Sequence, residues 1–341
     1  MYTALLIVIA IVAFGAMIAI HEAGHFFVAR ACGVKIYEFS LGMGPRIFGW
    51  TGKDDTKYNF RLFPIGGYVS MKGEDEAEEG EDSFSEKKPW QKFLIVAAGA
   101  AMNLLLGVII SLGLVLSTTL ASNIVGEFED GAKSNAWLKV GDEIVEINGT
   151  EVFTYDDMQY EILHDGYKPV DIVVVREGKR VLLEDVEFHT AEESGVLFGL
   201  RDFRVMPAKK TFQNVITHTW YMSVSTVRMI WESLVDLVGG RIGMEAVSGP
   251  VGVTEAIGTA AKLGAYSLFY LLAALTMNLG VFNLLPFPAL DGGRLVFILF
   301  EMVFRRKVSP KIEGMVHFVG IVLLLSLMVF VTFKDVVNLF G

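Results

Sequence analysis

Residues 3–20 (TALLIVIAIVAFGAMIAI) carry no charged side chain, and the run leads directly into His21-Glu22-Ala23-Gly24-His25. At 1.5 Å per residue, about eighteen residues nearly cross a hydrocarbon core of about 30 Å. A backbone inside lipid has to satisfy its own hydrogen bonds, so the run is read as a helix. A cleavable leader is the competing reading, but no basic residue precedes the run and no small-residue cleavage pattern stands before His21. On a helix, His21 and His25 are one turn apart and share a face, so both can ligate one metal ion. Glu22 lies beside them, placed to accept a proton from water. Ionisable side chains at membrane depth are expensive and are functional by default.

Composition agrees with a lipid-dissolved chain. Of 341 residues, 52% are hydrophobic and 20% charged, with a mean hydropathy of +0.48. An average soluble protein carries about 25% charged residues, so an ordinary water-soluble enzyme is excluded. The net charge of −10 argues against a nucleic-acid partner. Cys32 is the only cysteine, which excludes an intrachain disulfide and a cysteine-rich zinc site.

Three more uncharged or nearly uncharged runs follow, at 93–120, 263–290 and 315–333, the third run of the chain being broken by Pro286 and Pro288. Residues 212–238 are also apolar but hold His218, Arg228, Glu232 and Asp236, a set too costly for the bilayer centre. That segment is expected to lie in the interface rather than across it. The loop 30–92 has ten Lys and Arg, and 291–314 has five, so both are placed on the cytoplasmic side. The chain is thus expected to be a polytopic α-helical membrane protein with four transmembrane helices. Its expected divisions are 1–121 (the first two spans with a β loop at 35–90), 122–206, 207–262 (the interfacial helix and a re-entrant loop) and 263–341.

Residues 122–206 read as a small extracytoplasmic α/β domain. Strands are expected at 124–128, 142–148, 171–175 and 181–186, with turns at Asn148-Gly149 and Glu177-Gly178-Lys179. Thr154 and Asp157 mark a helix start. The order and the Gly141-Asp142-Glu143-Ile144…Ile147-Asn148-Gly149 pattern resemble a PDZ domain, a module that takes a peptide or chain terminus onto a sheet edge. The aromatic and β-branched segment 58–71 is expected to form a hairpin on the cytoplasmic side, either dipping into the membrane with an edge for an unfolded substrate or lying outside it.

A catalytic zinc needs a third protein ligand and an open position. The residues after His25, Phe26–Ala31, supply neither the Gly nor the His of the soluble pattern. Asp291, in Asn283-Leu284-Leu285-Pro286-Phe287-Pro288-Ala289-Leu290-Asp291-Gly292-Gly293, is the only acid between Glu255 and Glu301. With 212–238 interfacial, the first and third spans run the same way and Asp291 arrives at the depth of the histidines. Were 212–238 to cross, Asp291 would end roughly 30 Å away on the other face.

HEAGH, the PDZ-like insert and NLLPFPALDGG, together with FSLGMGP at 39–45, FPIGGYVSMKGE at 63–74 and GPVGV at 249–253, resemble the site-2 protease family of intramembrane zinc metalloproteases, in particular its bacterial regulator of sigma-E protease type. The resemblance implies Zn²⁺ held by His21, His25 and Asp291, Glu22 as catalytic base, and substrate held by Asn278 and Asn283. It also implies cleavage within or near the spans of single-span membrane proteins, such as anti-sigma factors or signal-peptide remnants, in a bacterial plasma (inner) membrane. The best-known members carry two PDZ domains, and one fits here. Three other readings stand beside it. One is a non-enzymatic PDZ scaffold in the membrane, and one is a membrane-anchored zinc protease with a soluble site using Glu38. The third is a transporter, for which the second half offers a broken helix and the first half none.

Overall fold

The computed structural model describes residues 2–74, 78–193, 196–241, 243 and 247–340. Among them, four helices are long and apolar enough to cross a membrane: 8–31, 89–117, 265–284 and 311–337. The apolar runs read from the sequence therefore become helices, as lipid requires of them. The chain divides into two compact units, residues 1–107 with 248–341, and residues 108–247.

In the first unit, α1 (Tyr2–Ala31) is followed by the antiparallel strands β1 (Ile36–Thr51) and β2 (Lys57–Met71). The register shifts repeatedly, and residues 38–41 of β1 face both 57–60 and 67–70 of β2. Phe26, Ala29, Val34, Ile36, Val69, Met71 and Ile95 form the core that ties this sheet to α1 and to α2 (Pro89–Ser117). The sheet's far part leaves Ile47, Phe48, Trp50, Phe60, Leu62 and Phe63 exposed.

The second unit holds a sheet ordered β10 (Phe203–Pro207), β3 (Ala121–Phe128), β4 (Glu143–Ile147), β6 (Val170–Arg176), β7 (Lys179–Val186), with β5 (Thr150–Glu151) paired to β4. Expected turns appear as tight left-handed pairs, Asn148 and Gly149 at φ 48° and 81°, Glu177 and Gly178 at 53° and 76°. Helix α3 (Tyr155–Asp165) starts at the expected place with a reciprocal capping box between Thr154 and Asp157. A separate hairpin of β8 (His189–Glu193) and β9 (Val196–Leu200) was not foreseen, nor was β10. Ile144, Ile147, Met158, Ile162, Ile172 and Phe203 are among the wholly buried core side chains.

Helix α4 (Phe212–Val238) belongs to this unit, and its charges have partners there. Arg228 forms an ion pair with Glu161 at 2.6 Å and donates to Glu232 at 2.7 Å. Tyr160 donates to Glu232, and Ser225 to Asp157. Asp236 lies 3.3 Å from His164. The polar residues that argue against a membrane crossing thus form one face on α3. Phe212, Ile216, Trp220, Trp231 and Val235 of the same helix are exposed.

The first unit resumes with α5 (Pro250–Leu263), α6 (Ala265–Leu284), α7 (Asp291–Phe304) and α8 (Pro310–Phe340). Buried Asp335 of α8 accepts hydrogen bonds from the Gly249 and Gly252 amides, both at 2.9 Å. A carboxylate there satisfies the free N–H groups that open α5 and suits the positive end of its dipole. The prolines end α6 as expected, and residues 285–290 form an irregular link before α7.

Candidate metal centre

Helix α1 puts His21 and His25 on one face, both about nine-tenths buried. Asp291 opens α7, where the break at Pro286–Pro288 returns the chain to that face. His21 Nε2 lies 3.1 Å from Asp291 Oδ2, His25 Nε2 lies 3.2 Å from the same oxygen, and the two Nε2 atoms are 3.2 Å apart. Among the described residues these three are the only group of His, Cys, Asp and Glu side chains disposed to hold a metal ion. Helices α1 and α7 therefore bring these three side chains together.

The donor set fits zinc. Bonds of about 2.0–2.1 Å at tetrahedral angles place ligand atoms about 3.3 Å apart, close to the spacing seen. Asp291 Oδ2 is buried and makes no hydrogen bond. Three lone-pair atoms aimed at one point, in a place with little solvent, call for a cation at that point.

Beside the cluster is a cavity of about 150 Å³, lined by His21, Glu22, His25 and Asp291 and closed by Gly67–Val69 of β2, Val96 of α2 and the pair Glu74 and Arg294. Arg294, one turn after Asp291 on α7, donates to Glu74. Glu22 is partly buried, and its Cγ would meet a Cβ on Gly67 at 3.1 Å. The sheet therefore lies directly over the glutamate.

Helix α2 supplies residues that the sequence reading missed. His25 Nδ1 faces the Ile95 carbonyl at 2.9 Å, and His21 Nδ1 faces Asn103 Nδ2 at 3.2 Å. Between them on the same face is Gly99, where a Cβ would stand 2.3 Å from His25 Nε2 and 2.8 Å from His21 Cε1. The spacing Ile95, Gly99, Asn103 is a helical i, i+4, i+8 stripe, the one sign of it visible in the sequence.

Asn278 and Asn283 are partly buried on α6 and do not line the cavity, and the Asn283 amide donates back to Leu279 O at 3.0 Å. Glu38 is not in the cluster. It accepts from Arg61 at 2.6 Å and from Tyr68 at 2.7 Å. Burial alone pushes the Glu38 carboxyl up, but hydrogen bonds from Arg61, Tyr68 and Asn59 outweigh it and hold the group at about 2.

Helices built for lipid and a His₂Asp cluster with a glutamate beside it define a membrane-embedded metalloprotease of the site-2 type. The chain belongs to peptidase family M50, which it matches over residues 9–327. It is 37% identical over 333 residues to a candidate zinc metalloprotease of Clostridium perfringens, covering 97% of this chain and 98% of that one. It is 36% identical over 334 residues to a similarly named Clostridium acetobutylicum protein, covering 97% of each. To the regulator of sigma-W protease RasP of Bacillus subtilis it is 28% identical over 414 residues, covering 97% of this chain and 98% of that one. It is a zinc metalloprotease, with zinc as its cofactor.

Proposed function

We propose that this chain cleaves peptide bonds within or near the membrane-spanning segments of single-span proteins, with His21, His25 and Asp291 as zinc ligands and Glu22 as general base. The observation that carries this reading is the convergence of two Nε2 atoms and one carboxylate oxygen within 3.1–3.2 Å of one another, from helices far apart in sequence. When bound, zinc supplies a Lewis acid that polarises the scissile carbonyl and acidifies water. Glu22 takes a proton from water through its carboxylate and passes it to the nitrogen of the leaving amine.

A helical substrate hides its carbonyls in i→i−4 bonds and has to unwind before it can react. A β edge lining the cavity beside Glu22 offers an unwound strand replacement hydrogen bonds, and the closeness of Gly67 to Glu22 supports that role for β2. For Asn278 and Asn283 as backbone-holding amides the support is the family resemblance. Residues 122–206 act in this reading as an extracytoplasmic PDZ module that docks a shortened substrate's new terminus or excludes bulky outer domains. Residues 212–238 lie in the interface in a bacterial inner membrane, and the active site faces the cytoplasmic side. Anti-sigma factors and signal-peptide remnants are the substrate classes in view. The RasP name of the Bacillus subtilis relative, a regulator of sigma-W, supports the first.

The test uses purified protein in lipid vesicles with a single-span reporter. Asp291→Ala is expected to lose both zinc and cleavage, while Glu38→Ala keeps both. A wild-type protein without zinc, or cleavage by Asp291→Ala at the wild-type rate, sinks the assignment. Retention of zinc with no cleavage of any spanning reporter favours the non-enzymatic scaffold instead.

A further inference from the structure

The two histidines differ in what stands behind them. The Nδ1 of His25 faces a backbone carbonyl, Ile95 O, which can only accept a hydrogen bond. That fixes the proton on Nδ1 and leaves Nε2 bare, the tautomer a metal ligand needs. His21 has no such carbonyl. Its Nδ1 faces the side-chain amide of Asn103, a residue with no exposed surface. An amide can present either an acceptor or a donor, and here Nδ2 is turned to the ring at 3.2 Å while Oδ1 is buried without a hydrogen-bond partner.

That orientation suits a His21 whose Nε2 carries the proton, toward the bare Nε2 of His25 at 3.2 Å, and whose Nδ1 accepts. It does not suit a His21 that binds zinc through Nε2. The ring proton then sits on Nδ1 and needs an acceptor, and the Asn103 amide is the group in contact with it. A half-turn about the Cβ–Cγ bond exchanges Nδ2 for Oδ1 without moving helix α2. The Asn103 backbone is itself held, since Thr276 Oγ1 of α6 donates to its carbonyl at 3.3 Å.

We propose that Asn103 is the positioning residue of His21, accepting the Nδ1–H bond through Oδ1 when zinc is held at Nε2 and turning over to donate through Nδ2 when it is not. One amide thereby serves both states of the site, where His25 relies on a fixed carbonyl. This inference rests on His21 being a zinc ligand.

The test measures zinc affinity of the full chain in detergent or lipid by competition with a chelator, for the wild type and for Asn103→Leu, Asn103→Asp and His21→Ala. Leucine fills a similar volume and offers no acceptor, so zinc should be held roughly 10–100-fold more weakly, the usual effect of removing a ligand's hydrogen-bond partner. Aspartate can only accept, so Asn103→Asp should hold zinc within a few-fold of the wild type, a rescue that a packing role would not give. Thermal unfolding of the zinc-free proteins should be the same for Asn103→Leu and the wild type. Should the leucine variant not accumulate, Asn103→Ala carries the same expectation.

The inference is overturned if Asn103→Leu binds zinc as tightly as the wild type, or if Asn103→Asp loses as much affinity as Asn103→Leu. His21→Ala separates the two levels of failure. If it loses zinc while Asn103→Leu keeps it, only the role of Asn103 falls. If it binds zinc normally, the ligand assignment falls and the role of Asn103 with it.

Discussion

Gly99 stands against His25 so closely that any side chain at position 99 collides with the ring, a Cβ falling 2.3 Å from Nε2. Helix α2 therefore shapes the candidate metal centre without supplying one of its three clustered side chains. Gly99→Ala should leave the helix intact, since alanine favours helix over glycine by about 0.5–1 kcal/mol. It should also push the histidines off their common point. Zinc content should fall at least tenfold while helical circular dichroism is unchanged. A Gly99→Ala protein with a full complement of zinc contradicts the contact.

Glu22 and the ligands should separate cleanly in mutants. Glu22→Gln keeps the shape of the side chain and removes its basicity. Zinc should remain bound, and cleavage of a spanning reporter should fall by about 10²–10⁴-fold or more, the range for loss of a general base. Metal analysis and cleavage on the same preparation check both halves, and activity within tenfold of wild type rejects Glu22 as the base.

The Glu38 pairing with Arg61 makes a pH prediction for the β1–β2 sheet. The folded carboxyl titrates at about 2 against an ordinary value of 4.5. A depressed folded value contributes stability that is fully present above about 4.5 and is lost as pH falls from there toward 2. Hydrogen exchange of the sheet amides should quicken over that window, and Glu38→Gln should remove the pH dependence. A wild-type profile flat between pH 5 and 2 counts against the pairing.

Arg228 and Glu161 join α4 to α3, and Glu161 has only 3% of its side chain exposed. Removing Arg228 leaves the buried Glu161 carboxylate without its cation, which costs more than replacing both partners with apolar residues. Arg228→Met alone should therefore destabilise this unit more than Arg228→Met with Glu161→Leu. Denaturant unfolding followed by tryptophan fluorescence reads the difference, and additive losses dismiss the coupling.

How much of this was legible in the sequence depends on how local each interaction is. The i, i+4 histidines, the Thr154–Asp157 capping box and the turns at Asn148-Gly149 and Glu177-Gly178 are decided within a few residues, and they stand where the pattern puts them. Asp291 was found by elimination, as the lone acid of its stretch. Gly99 and Asn103 were missed because a glycine and an asparagine in an apolar helix carry no signal until the helix has a neighbour. The charges of α4 argue in the sequence against a membrane crossing, but their partners on α3 lie about seventy residues earlier, beyond any local pattern. The hairpin of β8 and β9 was passed over because 187–200 lacks the alternation that marked the other strands.

Asp291 comes 266 residues after His25 in a chain of 341. No ribosome-bound fragment shorter than 291 residues can assemble the three-atom cluster, whatever its first helix has already done in the bilayer. During synthesis the histidine pair waits incomplete until residue 291 has been added. The cluster proposed to hold zinc is in this way beyond the reach of every nascent chain that stops short of that residue.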